Sequence, residues 1–464
     1  MSNEYIIDKN SVDLITAEQA WHYNIIPGKV SADEILFYCL KSDLLIQEEL
    51  ELLLGRNIIL TEIDGSEIRK QLIKYYPAKA KAKTGISHFS NDFNDFLPKI
   101  INEAQLLNSS DIHVEAYEQE CRIRFRVDGK LAERYRFGKE KYPALVNRIK
   151  IQAHLDIAEK RLPQDGRIIF KHDGFKTDIR VSVLLTLYGE KVVLRLLNAN
   201  AADINLDDLG FGEEQLQLYK TSIQKPYGII LISGPTGSGK TTTLYASLKF
   251  LNRENVNIMT VEDPVEYTLD GINQVQVKDD IGLTFAAALR TFLRQDPDII
   301  MLGEIRDKES AQMAIRAALT GHLVFSTLHT NSAYGTISRL LDMDIPPYLL
   351  AGTLNLSMAQ RLVRLLCPHC KQEEPFSNDL LPVGNTLTIR THYKAVGCEQ
   401  CYFTGYSGRK AIYELIPVNH DIAEKIKLNE LSLDDLKFRS LKNSALELFT
   451  SGQTSLEEIL SYLL

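Results

Sequence analysis

One glycine-rich segment constrains the fold of this chain more than any other feature. The apolar run Gly228–Ser233 leads into Gly234–Thr241, which matches the pattern G-x-x-x-x-G-K-[ST], and a helix-forming stretch follows it. A strand, a glycine-rich turn and a helix in this order form the context in which the pattern binds phosphate. The sequence therefore predicts a P-loop at the end of a buried strand, and hence an α/β domain.

Each residue type of the loop has a physical role in holding a nucleotide. Glycines let backbone N–H groups close around phosphate oxygens, and the helix N-terminus adds a favourable dipole. Lys240 offers a positive charge to the β- and γ-phosphates, and Thr241 offers a hydroxyl to Mg²⁺. A purely structural turn is the alternative. We assign nucleotide binding to Gly234, Pro235, Thr236, Gly237, Ser238, Gly239, Lys240, Thr241 and Thr242.

Two further apolar strands end in carboxylates. Ile258–Val261 runs into Glu262 and Glu266, and Ile299–Leu302 runs into Glu304. Near a P-loop, such carboxylates hold Mg²⁺ or polarise the attacking water, whereas elsewhere they cap helices or form turns. All three glutamates are candidate catalytic residues, and the sequence does not separate Glu262 from Glu266.

Two histidines flank the apolar segment Leu323–Leu328. His322 precedes it and His329 follows it, so either imidazole could contact the γ-phosphate, with His329 the stronger candidate. The alternative is a structural role at a strand end. Four arginines are also candidates, because phosphoryl transfer spreads negative charge over the phosphate oxygens. Arg290 and Arg294 share one helix face, and Arg180 and Arg195 lie on predicted strands. Surface ion pairs are the alternative for each arginine.

Four of the six cysteines form two C-x-x-C pairs. Cys367 and Cys370 precede Cys398 and Cys401, with 27 residues between the pairs. The arrangement is typical of a tetrahedral zinc site, although the spacer is longer than in most zinc ribbons. Two independent redox pairs are the alternative. A complete set of four thiolates leaves no open position on the metal, so we expect a structural Zn²⁺.

The length of 464 residues implies about three domains. We expect an N-terminal domain at 1–76, a linker at 77–95 that includes an alternating Ala/Lys stretch, an α+β domain at 96–200 and an α/β domain at 201–464. The cysteine pairs form an insertion at about 365–403. Residues 1–60 carry ten acidic and four basic side chains and several leucines. They predict a small helical domain, which either has a solvated acidic face or docks another protein.

The net charge of −8 argues against binding nucleic acid through bulk charge. The N-terminus does not resemble a signal peptide, and apolar runs are shorter than the 18–20 residues of a membrane span. We expect a cytoplasmic protein whose membrane contact is peripheral.

The chain resembles the secretion ATPases of the GspE/PilB group, which act in type II secretion and type IV pilus assembly. The resemblance covers residues 90–420. It rests on the P-loop and on these segments: Ser110–His113, Phe125–Gly129, Arg161–Arg167, Val261–Tyr267, Gly271–Gln276, Leu293–Asp307, Leu319–Asn331, Ala359–Arg364, the cysteine pairs and Thr404–Arg409. It implies a RecA-like ATPase domain preceded by a PAS-like domain. The first 80 residues match no signature of the group.

The resemblance also implies residue roles and partners. Glu266 stands where the group has its catalytic glutamate, Glu304 looks like the Walker B glutamate, and His322 and His329 look like the histidine box. The arginines noted above fall where the group places phosphate-contacting and intersubunit arginines. Because members of the group are hexamers that use ATP and Mg²⁺, the resemblance implies the same for this chain. They act at the inner membrane through a platform protein, and an anchor protein binds their N-terminal domain.

Three other functions are weighed against this one. A pilus retraction ATPase shares the motor but normally lacks the cysteine pairs and the extra N-terminal domain. A RecA-like DNA translocase would need DNA-binding features that the sequence does not display. A scaffold with a decayed P-loop is disfavoured, because Lys240, Thr241, Glu266 and Glu304 are all intact.

Overall fold

The computed structural model describes residues 96–172, 175–197, 204–382 and 387–463. Before residue 96 it describes residues 11, 14–16, 19–20, 23–31, 34–40, 42–63, 68, 72, 76 and 87–88. The chain divides into two compact units, Met1–Thr84 and Gly85–Leu464. Of the predicted linker, residues 77–86 and 89–95 lie outside the described residues.

The N-terminal unit contains a small sheet as well as helix. Strands β1 (Ile25–Val30), β2 (Glu34–Cys39) and β3 (Asn57–Glu62) form it in that order, and helix Leu44–Leu54 connects β2 to β3. β1 and β2 are antiparallel, whereas β2 and β3 are parallel. The expectation of a helical domain is corrected in this respect. The strands are short and β1 contains Pro27 and Gly28, so the leucine-rich helix dominates the sequence pattern.

The second unit begins with an α+β lobe, as predicted, which we call the N-lobe. Its sheet has the order β4-β7-β6-β5-β10-β9-β8 and is antiparallel except where β4 joins β7. Helices Phe96–Leu106 and Tyr142–Gln152 each bury one apolar face against it. The strands are β4 (Ser87–His88), β5 (Asp111–Ala116), β6 (Glu120–Val127), β7 (Lys130–Gly138), β8 (Gln164–His172), β9 (Phe175–Thr186) and β10 (Gly189–Leu197).

The remainder, which we call the C-lobe, is built on a second seven-stranded sheet with the order β13-β12-β14-β15-β11-β16-β19. All neighbours in it are parallel except β16 and β19. The strands are β11 (Gly228–Ser233), β12 (Ile258–Glu262), β13 (Asn273–Gln276), β14 (Ile299–Leu302), β15 (Leu323–Leu328), β16 (Leu354–Leu366) and β19 (Tyr406–Pro417).

Helices cover both faces of this sheet, which is why its strands read as continuous apolar runs. Along β11, Ile229 and Leu231 join one hydrophobic cluster while Ile230 and Ile232 join the cluster on the other face. The helices are Glu213–Ile223, Lys240–Leu251, Phe285–Phe292, Lys308–Leu319, Ala333–Asp342, Pro347–Thr353, His420–Leu428, Leu441–Thr450 and Leu456–Leu463. Among the described residues, no helix is both long enough and apolar enough to span a bilayer.

The cysteine segment lies at the end of the antiparallel pair β16–β19, where Leu366 pairs with Tyr406. Strands β17 (Gln372–Pro375) and β18 (Thr391–Lys394) form a separate two-stranded sheet within the spacer between the two cysteine pairs. This sheet accounts for part of the unusual spacer length. The strands bring the two ends of the spacer back together.

Candidate nucleotide site and cysteine cluster

The glycine-rich loop joins the carboxyl end of β11 to helix Lys240–Leu251, as predicted. Two glycines are required because β16 passes close behind the loop. A Cβ on Gly234 would lie 2.6 Å from the Gln360 carbonyl oxygen, and a Cβ on Gly239 would lie 2.8 Å from the Gln360 amide nitrogen. Both residues also have positive φ, at 151° and 87°. Side chains at these positions would displace the loop.

Lys240 turns back over the loop. Its Nζ donates hydrogen bonds to the carbonyl oxygens of Gly234, at 2.7 Å, and Pro235, at 3.1 Å. Burial lowers the pKa of Lys240, the Glu304 carboxylate opposes this shift, and Arg361 adds to it. Thr241 and Thr242 occupy the first turn of the helix, where Thr241 is exposed. The lysine and the Thr241 hydroxyl are therefore at the loop where a phosphate and its magnesium would bind.

The loop also fits a phosphate in two further respects. Among the described residues, the buried Ser238 hydroxyl has no hydrogen-bond partner. Gly237, at φ 80°, has open space where its Cβ would be. An accessible glycine and a hydroxyl that lacks a partner are what a cradle for phosphate oxygens requires.

Glu304 lies beside the loop and is held at both carboxylate oxygens. His329 Nε2 is 2.9 Å from Oε2, and Arg306 hydrogen-bonds to Oε1. Arg306 also donates to Asp263 Oδ2, at 3.1 Å. The histidine and the arginine join the ends of β12, β14 and β15 into one polar cluster at the carboxyl edge of the sheet, where the P-loop also lies.

The backbone that carries Glu304 is fixed by the neighbouring strands. Gly303 N–H donates to the Val261 carbonyl at 2.8 Å, and Ile305 N–H donates to the Thr327 carbonyl at 2.9 Å. The Thr327 hydroxyl donates to the Gly303 carbonyl at 2.7 Å. These bonds fix the backbone on both sides of Glu304, so the contacts with His329 and Arg306 determine only the position of its side chain.

Glu262 lies in a different environment from Glu304. It is 4% exposed and accepts hydrogen bonds from the hydroxyls of Thr260, at 2.6 Å, and Tyr245, and from the Gln274 amide, at 3.2 Å. Burial raises the pKa of Glu262 in spite of these donors. A carboxylate that is buried and engaged by three donors in this way is suited to positioning the loop that follows β12. The structure therefore argues against a direct catalytic role for Glu262.

Glu266 is partly exposed and contacts the N-lobe. Arg180, on β9, places a guanidinium nitrogen 3.5 Å from its carboxylate and donates to the Val265 carbonyl at 2.6 Å. Arg180 and Val265, which are 85 positions apart in the sequence, therefore meet where the two lobes touch. The contact with Arg180 distinguishes Glu266 from Glu262, a distinction that the sequence alone does not provide.

The other three candidate arginines are not brought to the P-loop by the contacts of the described residues. Arg195 is paired with Asp111 at 3.1 Å within the N-lobe. Arg290 forms an ion pair with Glu309, and Arg294 donates to the Arg290 carbonyl at 3.1 Å. Arg290 is exposed, so its pairing is a surface contact in this chain.

The structure places His322 at the opposite end of its strand from the P-loop edge. β11 and β15 are parallel, with Gly228 opposite Leu323 and Ser233 opposite Leu328. The P-loop follows the carboxyl end of β11, whereas His322 precedes the amino end of β15. The six residues between them span about 20 Å at the rise of a strand. His322 instead contacts the Ala317 carbonyl at 2.8 Å and the Thr320 hydroxyl at 3.1 Å, so it does not line the phosphate site of its own chain.

The four cysteine sulfurs form one cluster, all within 4.8 Å of each other. The shortest separations are 3.7 Å for Cys370–Cys401 and Cys398–Cys401 and 3.9 Å for Cys367–Cys398. Four sulfurs about 2.3 Å from a tetrahedral zinc ion lie about 3.8 Å from one another, whereas bonded sulfurs lie about 2.05 Å apart. The cluster is therefore compatible with a Zn²⁺ site. Backbone N–H groups of Gly397, Cys398 and Gly405 donate to the sulfurs, as expected around thiolates.

Comparison with known families agrees with this geometry. The sequence model of the family described as Type II/IV secretion system protein matches residues 90–461. This chain belongs to that family. The match includes both lobes, the P-loop and the cysteine cluster.

Named relatives of the secretion family come from two kinds of system. The Type IV pilus assembly ATPase PilB of Myxococcus xanthus is 43% identical over 493 residues, covering 98% of this chain and 87% of the relative. Type II secretion system protein E of Pseudomonas aeruginosa is 49% identical over 372 residues, covering 78% of this chain and 73% of the relative.

Two solved structures share the fold of this chain. The pilus retraction motor PilT with bound ADP is 28% identical at a TM-score of 0.53 and covers 78% of this chain and 95% of its own. The Legionella pneumophila ATPase DotB matches at a TM-score of 0.61 and 21% identity, covering 81% of this chain and 98% of its own. The comparison with DotB supports the fold alone.

Sequence reasoning missed three polar residues of the site. Arg306 lies two positions after Glu304, and this proximity is a signal that could have singled it out. Gln360 and Arg361 come from β16, more than 100 residues after the P-loop, and Arg361 donates to the Asn331 carbonyl at 2.9 Å. Nothing local in the sequence connects β16 to the loop, because the two meet only through sheet order.

Proposed function

We propose that this chain is a motor ATPase that couples ATP hydrolysis to the assembly of pilin-like filaments. The observation that carries the proposal is the meeting of Lys240, Glu304 and His329 at one sheet edge, with Arg180 reaching Glu266 from the other lobe. ATP phosphates would bind to the loop amides and Lys240. Mg²⁺ would bind near Thr241 and neutralise phosphate charge.

The chain's own residues divide the chemistry between the lobes. Glu266, partly exposed and placed by Arg180, orients the attacking water and accepts its proton. Glu304, fixed by His329 and Arg306, would help to hold a bound Mg²⁺ or its water, and the ion would supply positive charge to the phosphates. Arg180 stabilises charge that develops on the phosphate. Because Arg180 belongs to the N-lobe, hydrolysis and lobe movement are coupled by the same contact.

Phosphate release by the purified full-length chain tests this proposal. Lys240→Ala should abolish nucleotide binding, measured by a fluorescent ATP analogue. Glu304→Gln should retain binding while turnover falls about 100-fold or more, the usual loss when a group that stabilises transition-state charge is removed. If Glu304→Gln hydrolysed ATP at the wild-type rate, the assignment of Glu304 would be wrong. Stimulation of hydrolysis by DNA would favour a translocase.

The share of this chain that each relative covers favours pilus assembly over type II secretion. The similarity to PilB covers 98% of this chain, whereas similarity to protein E of Pseudomonas aeruginosa covers 78%. The higher identity to protein E over the shared part keeps secretion as the second candidate. Deleting the gene and restoring it as wild type or Glu304→Gln separates the two functions. Loss of surface pili with intact protein export supports assembly, and the reverse result supports secretion.

The oligomer and its partners are part of the same proposal. We propose a homohexamer on the cytoplasmic face of the inner membrane. Its N-terminal unit binds an anchor protein, and its motor acts on a platform protein. Exposed leucines on helix Leu44–Leu54 support a docking role, since Leu44 is 77% and Leu52 is 91% exposed. In a pull-down with the full chain, Leu52→Glu should lose the anchor protein, while ATP hydrolysis without partners should stay unchanged.

A further inference from the structure

An Asp-Gly turn of the N-lobe contacts the segment that closes the cysteine cluster. Asp128 lies at the tip of the β6–β7 hairpin. Its carboxylate accepts a hydrogen bond from the Gly408 N–H at 2.9 Å and lies 3.4 Å from Arg409 Nε. The hydrogen bond joins residues 280 positions apart, so it holds two distant parts of the chain together.

Two neighbouring contacts extend the same surface along β7. Lys130 Nζ lies 3.5 Å from a carboxylate oxygen of Glu458, which also binds Arg364 at 2.6 Å. The Arg134 guanidinium lies over the Tyr402 ring, 5.2 Å from its centroid. One strand and its turn therefore make a hydrogen bond, two ion pairs and a cation–π contact with the C-lobe.

The cysteine cluster shapes the surface that receives this turn. Tyr402 and Phe403 follow Cys401 with positive φ values of 50° and 61°, a conformation that costs energy in residues other than glycine. Cys401 Sγ accepts a hydrogen bond from the Gly405 N–H at 3.2 Å, and the Thr404 hydroxyl donates to the Cys401 carbonyl at 2.7 Å. The position of Cys401 therefore determines where Tyr402 meets Arg134.

We propose that residues 402–409 form a docking surface for the Asp128-Gly129 turn of the same chain. A metal held by the four cysteines keeps this surface in shape, so metal binding and the attachment of the N-lobe are coupled. The inference goes beyond the proposed ATPase function and does not depend on it, because it concerns an internal contact that can be measured without nucleotide.

The position of this surface separates it from the nucleotide site. In the N-lobe sheet, β5 and β10 lie between β6 and β9, so β6 and β9 are about 14 Å apart. Arg180 contacts the C-lobe from β9, and Asp128 contacts it from the end of β6. These are two separate contacts between the lobes. The contact beside the cysteine cluster is made by Asp128 and its neighbours and does not involve the Arg180 side chain.

Amide hydrogen exchange on the full-length protein, with zinc content measured in parallel, tests the proposal. Asp128→Ala should increase exchange at residues 402–409 at least fivefold while zinc content stays at the wild-type level. Glu118→Ala is the matched control, since Glu118 is an exposed acid in the turn before β6. It should change neither quantity. Unchanged exchange at 402–409 in Asp128→Ala would overturn the docking surface.

A second arm tests the role of the metal. Removing zinc with a chelator should speed exchange at residues 127–130 in the wild-type protein, and adding zinc back should reverse the change. The same treatment should not alter residues 178–183 of β9. If chelation removed the zinc without changing exchange at 127–130, coupling between metal and docking would be excluded. Asp128→Arg combined with Arg409→Asp should recover part of the protection that either change alone removes.

Discussion

At the residue scale, chemically similar side chains differ in function because of what encloses them. Glu262, Glu266 and Glu304 lie at or just after the ends of two neighbouring strands, and the sequence offers all three as candidates. The structure separates them: Glu262 is enclosed by hydroxyl and amide donors, Glu266 faces an arginine of the other lobe, and Glu304 is held between a histidine and an arginine. Burial depends on residues distant in sequence, so no local pattern distinguishes them.

The buried Glu262 predicts a specific dependence of stability on pH. Its pKa is raised in the folded chain from an ordinary value of 4.5, so the folded state binds the proton more tightly than the unfolded state. Its contribution to stability is therefore complete below pH 4.5 and is lost as pH rises through the folded pKa. Glu262→Gln cannot ionise. Its unfolding free energy should therefore rise relative to that of the wild type as the pH increases from 5 to 8.

Chemical denaturation at several pH values measures this difference. ATP hydrolysis by Glu262→Gln should stay within about threefold of the wild-type rate, in contrast to the large loss expected for Glu304→Gln. Asp270→Asn serves as a control, because it changes an exposed acid that follows the same strand. A stability difference that does not vary with pH would contradict the burial argument.

Arg306 gives the second prediction at this scale. It contacts Glu304 and Asp263 together, so it positions Glu304. Arg306→Ala should lower kcat about 10-fold or more, with a smaller change in KM, because the lost contact orients a catalytic group. Arg306→Lys should recover part of kcat. Equal losses for the alanine and lysine variants, with a raised KM, would instead indicate a role in binding nucleotide.

At the scale of elements, strand direction decides which of two histidines reaches the site. His322 and His329 lie at opposite ends of β15, and parallel pairing with β11 places only His329 at the P-loop edge. His322 precedes β15 and His329 follows it. The sequence therefore indicates which histidine lies at the P-loop edge once the sheet is known to be parallel. The P-loop itself was predictable because its strand, turn and helix are contiguous in the sequence.

These histidines form a matched pair for mutation. His329→Ala removes a contact to Glu304 and should lower kcat about 10-fold or more, with nucleotide binding retained. His322→Ala, at the other end of the same strand, should leave kcat within about twofold, although it loses the contact to Ala317 and some stability. Steady-state kinetics and thermal unfolding of both variants measure the difference. A larger kcat loss in His322→Ala would mean that the site includes the opposite sheet edge.

At the scale of the whole molecule, contacts between lobes were the least predictable feature. Arg180 with Glu266 and Asp128 with Gly408 join residues 86 and 280 positions apart, and neither pair has a sequence signal. The cysteine cluster was predictable because each C-x-x-C pair is local and four thiolates have few other uses. The sheet in the N-terminal unit was not predictable, since its short strands lack the alternation that identifies a strand.

The positions of Arg290 and Arg294 lead to a prediction about the assembly. In the described part of the chain they contact only their own helix and Glu309, and Arg290 is 54% exposed. If they act on phosphate, we expect them to act on the phosphate of a neighbouring subunit in the proposed oligomer. A Lys240→Ala subunit cannot bind ATP, and an Arg290→Ala/Arg294→Ala subunit cannot assist its neighbour. Each homogeneous oligomer should hydrolyse ATP at under 5% of the wild-type rate, a loss of about 2 kcal/mol in transition-state stabilisation.

Mixing the two kinds of subunit then distinguishes action within a chain from action between chains. In a mixed oligomer, an intact P-loop on the arginine variant can lie next to intact arginines on the lysine variant, and that pair forms one complete site. Hydrolysis should therefore reappear on mixing and reach its maximum near equal proportions. The control replaces the Lys240→Ala partner with a subunit that carries Lys240→Ala, Arg290→Ala and Arg294→Ala together, which can complete no site. Recovery with the first partner and none with the second requires arginines donated between subunits, whereas no recovery with either assigns them to their own chain.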